Sequence, residues 1–193
     1  MTIPSNQVSQ PLLDMHPDMT FAVQDDGRIA HIDEVSNGKK CGCVCASCGG
    51  PLIARQGKIM AHHFAHVGNR TCGGMTWLHQ AAQEIIKREH RITLPDGSYG
   101  SVGGSKTFTK VQLEVGLQGM VIDCLCSLGD RDLAIEIRVT HEVGDDKQQK
   151  LRDSKIDSVE IDLRHLEKMD PDWGVLTREV CDTPENVKWI YSH

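Results

Sequence analysis

The stretch CGCVCASCGGPLIARQGKIMAHHFAH, residues 41–66, with Cys72 six residues further on, decides how this chain is read. Residues 41–72 hold five of the eight cysteines and three of the ten histidines, a density that core packing does not call for. Cys45-x-x-Cys48 has the spacing of a metal knuckle, because two intervening residues let both sulfurs turn toward one point. His63, His66 and Cys72 supply the second half. A structural zinc ion takes four ligands, so four of Cys45, Cys48, His63, His66 and Cys72 are expected to bind Zn²⁺. Spacing does not choose between the two histidines, and Cys41 and Cys43 are alternative ligands or bystanders. Closed sites of this kind do no chemistry, so a zinc enzyme centred on HHFAH is the weakest functional reading, and function is sought elsewhere.

The N-terminal run MTIPSNQVSQPLLDMHPDMT has no basic start and no apolar h-region, and no later segment approaches a spanning length. The expectation is a soluble, cytoplasmic protein with no membrane partner, whose cysteines bind metal instead of forming disulfides. A net charge of −6 argues against coating nucleic acid by bulk electrostatics, so any nucleic acid is engaged locally. Arg70, Lys58, Arg55 and Lys39 make the cysteine-rich block more basic than the whole. At 193 residues the chain has room for one ordinary domain and a small satellite.

Outward from the cysteines, TFAVQDDGRIAHIDEV reads as a hairpin turning at DDGR. Downstream, TWLHQAAQEIIKREH carries Trp77, Leu78, Ala81, Ala82, Ile85 and Ile86 on one broad face, which predicts an amphipathic helix. LPDGSYGSVGGSK reads as a loop. Three period-two runs follow, KVQLEV, MVIDCLCSL and DLAIEIRVT, and predict an antiparallel meander. DDKQQKLRDSK reads as a polar surface helix with an Asp N-cap, SVEIDL as a further strand, and KWIY as a closing one. The implied organisation is a leader over 1–19, a zinc-ribbon-like module over 20–74, and a mixed α/β domain over 75–193.

Centring the first hairpin on GLQG sets Glu114 opposite Val121 and Gln112 opposite Asp123, with Glu114 and Asp123 on one face. The second hairpin brings Asp123 opposite Glu136 or one step from it. Val111, Leu113, Val115, Ile122, Ile135, Ile137 and Val139 then take the other face. Clustered carboxylates repel and are held ionised most easily by a hard divalent cation, here Mg²⁺ or Mn²⁺, which activates water and offsets charge on a phosphate. The wet face of an ordinary sheet is the competing explanation. His79, at the border of the helix's apolar stripe, can reach such a cleft or merely flank the core, and His141 ranks below it.

CxxC, HHFAH and Cys72, then WLHQAAQEIIK, Asp123, AIEIRVTH, a lysine-bearing polar helix and VEIDL, in that order, resemble the competence protein CoiA-like family over roughly residues 20–165. That resemblance implies a restriction-endonuclease-like (PD-(D/E)xK) core of α+β type, a helix followed by a mixed sheet, joined to the N-terminal zinc module. It implies metal-dependent hydrolysis of phosphodiester bonds in DNA, in competence, DNA processing or a phage-related setting. Asp123 and Glu136 become the Mg²⁺- or Mn²⁺-binding acids, with Glu114 as accessory. The third catalytic position falls on Arg138 where the superfamily has lysine. Arginine keeps its proton and can only orient or stabilise charge, so Lys147, on the next helix, becomes the candidate ammonium. The alternative is a catalytically inactive member of the fold that binds nucleic acid or inhibits a protein. A homodimer or another protein partner stays open.

Overall fold

The computed structural model describes residues 19–46, 48–68, 76–97, 103–139, 143–166, 169 and 171–193. The expected leader to residue 18, Arg70, Cys72 and His141 lie outside them.

The first hairpin pairs β1 (Phe21–Val23) with β2 (Ile29–His31), turning at DDGR as the sequence predicts. A second ribbon pairs β3 (Leu52–Arg55) with β4 (His63–His66), Leu52 opposite His66 and Arg55 opposite His63. Bridges from Val23 to Val44 and from Val44 to Pro51 join the two ribbons. Together they enclose a small core that includes Ile32, Leu52, Phe64 and the thiols Cys41 and Cys43. Those two cysteines donate to backbone carbonyls, Cys41 to Leu52 (3.5 Å) and Cys43 to Cys41 (3.2 Å). Burial pushes the Cys43 thiol up to about 12, which keeps it protonated.

Helix α1 (Thr76–Glu89) follows, and its Leu78, Ala81, Ala82, Ile85 and Ile86 are all buried, the face that the apolar spacing predicts. β5 (Arg91–Leu94) then pairs with β6 (Gly104–Thr107), so both ends of the expected LPDGSYGSVGGSK loop are strand. The glycine content that reads as a loop serves close approach: a Cβ on Gly103 would stand 2.6 Å from the Leu94 carbonyl oxygen.

The main sheet has five strands in the order β11-β10-β9-β8-β7. β7 (Lys110–Leu117), β8 (Met120–Leu128) and β9 (Arg131–Arg138) form the antiparallel meander. Helix α2 (Asp145–Ser154) crosses back so that β10 (Asp157–Asp162) runs parallel to β9. Helix α3 (Trp173–Cys181), capped by Asp172 onto the Val175 amide, is not anticipated from the sequence, and β11 (Val187–Tyr191) closes the edge antiparallel to β10. The N-cap of α2 is Gly144 and not an Asp: the two aspartates sit inside the first turn, where they face the positive end of the helix.

The β7–β8 hairpin turns at Gln118-Gly119, with φ of 48° and 72°, and not over four residues. A two-residue turn with both φ positive matches the twist of its strands. It shifts the expected register by two, placing Val115 opposite Ile122 and Leu113 opposite Cys124. A shift of two preserves facing, so the relation between Glu114 and Asp123 survives it. The ladder is interrupted at these two residues, and Glu114 has φ 52°. Before the interruption Val111 and Leu113 pack on the core under α1 and α3, with Cys124 and Cys126. Beyond it Leu117, Met120 and Ile122 join Leu151 of α2 in a separate cluster. The single apolar face expected for all these residues is thus divided, and Ile122 belongs to the other side.

Candidate metal centres

The knuckle closes around Cys45, whose amide donates to Gly50 O (2.8 Å) and whose carbonyl accepts from Gly49 N (2.8 Å), with Gly49 at φ 64°. That left-handed turn after Cys48 suits glycine and folds the second thiol back toward the first. The ligand atoms of Cys45, Cys48 and His66 lie within 4.8 Å of one another, and Cys48 Sγ is 3.3 Å from His66 Nε2. Zinc bonds of about 2.0–2.3 Å in a tetrahedron need ligands about 3.5 Å apart, so this soft donor set can hold zinc. His63 does not join it. Three residues apart on one strand, His63 and His66 project to opposite faces, and the His63 ring sits 2.9 Å from the Ala61 carbonyl. Cys41 and Cys43 belong to the small core, and Cys72 falls outside the described residues.

The second constellation gathers on Asp123, at the break in the β7–β8 ladder. Its Oδ2 accepts from the Ile137 amide (2.8 Å) and lies 3.5 Å from His79 Nε2 of α1. Its Oδ1 lies 3.7 Å from Lys147 Nζ of α2. The same ammonium contacts Glu136 Oε2, so one cation from α2 reaches both acids. His79, Glu114 and Asp123 bring their ligand atoms within 4.8 Å of one another. Buried Gln83, one turn after His79, donates to Glu114 Oε1 and to the Asp123 carbonyl (3.2 Å), replacing part of the interrupted ladder.

Glu136 is 1% exposed, and its Oε1 meets no hydrogen-bond donor among the described residues. Burial, reinforced by the charge of Asp123 and opposed by Lys147, pushes its carboxyl up to about 8. A buried carboxyl oxygen without a donor, beside a second acid, is the environment in which a hard cation can displace the proton and supply the missing contact. A divalent ion therefore fits these donors chemically.

Arg138 stands apart from this cluster. The parallel register sets Glu136 beside Glu160 and Arg138 beside Asp162, and the guanidinium lies 3.7 Å from Glu160 and 3.6 Å from Asp162. Glu160, 4% exposed, also accepts from the Val143 amide (2.9 Å). Sequence reasoning passes over Glu160 and the anchoring role of Gln83. Both depend on neighbours distant in sequence, although the acid in VEID, alternating with buried apolar residues, hints at the first.

Residues 28–74 match the family model described as the competence protein CoiA, N-terminal domain. No curated protein and no solved structure matches the chain. No helix among the described residues is long and apolar enough to cross a membrane.

Proposed function

We propose that this chain is a metal-dependent nuclease acting on DNA, with a structural zinc in its N-terminal module and a catalytic Mg²⁺ or Mn²⁺ at Asp123 and Glu136. The observation that carries the reading is the meeting of Asp123 and Glu136 at Lys147, with a Glu136 oxygen buried and unsupplied with a donor. The match of residues 28–74 to the CoiA N-terminal domain supports a competence-related or other DNA-processing setting. The order helix, three-stranded meander, helix, parallel strand, with the β5–β6 hairpin inserted after the first helix, supports the restriction-endonuclease-like core that the resemblance implies. Zinc would be held by Cys45, Cys48 and His66, with Cys72 as the fourth ligand.

A divalent ion bound by the two acids would polarise water and offset charge gathering on the phosphate. Lys147 places an ammonium over the same acids and stabilises negative charge on the phosphoryl oxygens. It thereby takes the part that Arg138 cannot, since Arg138 is turned to Glu160 and Asp162 on β10. His79 orients Asp123 from α1, and Glu114, steadied by Gln83, supplies an accessory carboxylate.

The test is cleavage of plasmid DNA with Mg²⁺ or Mn²⁺ by the wild type and by Asp123→Ala, Glu136→Ala and Lys147→Ala. The reading requires cleavage by the wild type and its loss by about a hundredfold or more in each variant. Full activity of Lys147→Ala removes that residue from the mechanism. An inert wild type leaves the second reading, a binder or inhibitor on the same scaffold. The contact favouring that reading is again Lys147, whose ammonium already pairs with both acids.

A further inference from the structure

From Val35 to Gln83 the chain holds Lys39, Lys40, Arg55, Lys58 and Arg70 and neither Asp nor Glu, although its net charge is −6. Lys39, Lys40, Arg55 and Lys58 are exposed. A bridge from Gly38 to Ala54 sets the helical turn Lys39–Cys41 against β3, which ends in Arg55. These cations therefore collect along one ribbon.

The loop joining β3 to β4 lies at the end of that ribbon away from His66. Its base is braced on both sides. Gln56 donates from its side chain to the Ile32 and Val35 carbonyls and from its amide to Asn37 Oδ1 (3.3 Å), and the His62 ring lies 2.6 Å from Asp33. At the tip Ile59 is 99% exposed and Met60 66%. A concavity of about 230 Å³, lined by Arg55, Lys58, Ile59, Met60 and His63 among others, lies beside the tip. Single exposed apolar residues are ordinary, but an adjacent pair on a braced tip among cations marks a contact surface.

We propose that this loop is a wedge for duplex DNA: Lys39, Lys40, Arg55 and Lys58 meet phosphates, and Ile59 and Met60 press between base steps. Side chains of this type unstack and kink a duplex when cations hold the backbone beside them. An anionic lipid surface offers the same charge, but even a myristoyl chain holds a protein there only marginally, and two side chains hold it less. The proposal rests on the nucleic-acid substrate proposed above, not on cleavage.

The test uses the whole 193-residue chain, zinc-loaded and carrying Asp123→Ala, so that binding is read without turnover. Anisotropy with a labelled duplex is followed across a salt series, together with 2-aminopurine fluorescence from within the duplex. Arg55→Ala with Lys58→Ala should reduce the log–log salt slope by roughly two, at about 0.9 per phosphate. Ile59→Ser with Met60→Ser should keep the slope, weaken binding by about tenfold and abolish the 2-aminopurine signal of unstacking. Both positions are exposed, and unchanged zinc content and circular dichroism establish that the fold is intact. Wild-type-like affinity and fluorescence in the serine variant overturn the wedge, and they leave the nuclease reading standing if plasmid is cleaved. Binding to anionic vesicles but not to duplex reassigns the tip to lipid. An intact wedge without cleavage by the native sequence overturns the nuclease reading alone.

Discussion

The ribbons of residues 19–68 and the five-stranded sheet are stabilised by different means, and the contrast explains how each can carry a polar site. The ribbon module buries a small cluster in which Cys41, Cys43 and Cys45 replace larger apolar residues, and it brings Cys45, Cys48 and His66 together at one point. A core that size leaves little net stability after chain entropy, and a metal held at that point would add to it. The sheet has a far larger cluster drawn from α1, α3, β8, β9 and β10. It tolerates a buried acid at Glu136, an interrupted ladder, and Glu114 in a left-handed conformation. Local cost of that kind persists only where surrounding structure over-determines it, and it gathers at functional sites.

If this division holds, removing zinc should have the largest effect. A chelator, or Cys45→Ser, should open the ribbons around the Cys45, Cys48 and His66 donors while the sheet, with Phe21 still seated on Trp77, stays folded, since structural zinc contributes on the order of 10 kcal/mol to small modules. Limited proteolysis followed by mass spectrometry reads this directly: cuts confined to residues 19–68 agree, and equal protection of both halves with and without metal breaks the division.

Phe21 is where the two regions join. It stacks on Trp77 (5.1 Å between centroids) and meets Trp173 edge-on (4.6 Å), so a ribbon side chain sits in the sheet's core. Phe21→Ala should cost about 3–5 kcal/mol and should destabilise both halves together. Thermal unfolding followed by tryptophan fluorescence measures it. A loss confined to the ribbons would mean that Phe21 serves only its own module.

The smallest effect should come from the left-handed residue. Glu114→Gly and Glu114→Ala both remove the carboxylate, yet glycine accepts φ 52° without the Cβ clash, so the glycine variant should be the more stable by about 1 kcal/mol. Both should bind Mn²⁺ about tenfold more weakly by calorimetry. Equal stability of the two variants would show that the interrupted ladder carries no strain.

Much of the architecture was legible because it is written in short-range pattern. The 3.6-residue spacing from Trp77 to Ile86 specified α1, and alternation specified β7, β8 and β9. Helix α3 is not anticipated, because WGVLTREVC is short and, although its Asp172 cap adjoins it in sequence, its packing against α1 and β5 is supplied by distant parts of the chain. The β7–β8 register differs by two from a turn centred on GLQG, because GLQG permits more than one turn and only the twist of the paired strands selects Gln118-Gly119.

By itself the sequence determined the chemistry on offer: a soft Cys/His donor set in one block, and acids on strands that must adjoin. The tertiary structure decided which members meet. Strand alternation chose His66 over His63, the parallel β9–β10 pairing turned Arg138 toward Glu160 and Asp162, and the α2 crossover delivered Lys147 to Asp123 and Glu136. These outcomes depend on register and on a crossover that no local window contains. Donor type is a property of residues, whereas donor geometry is a property of how distant segments pack.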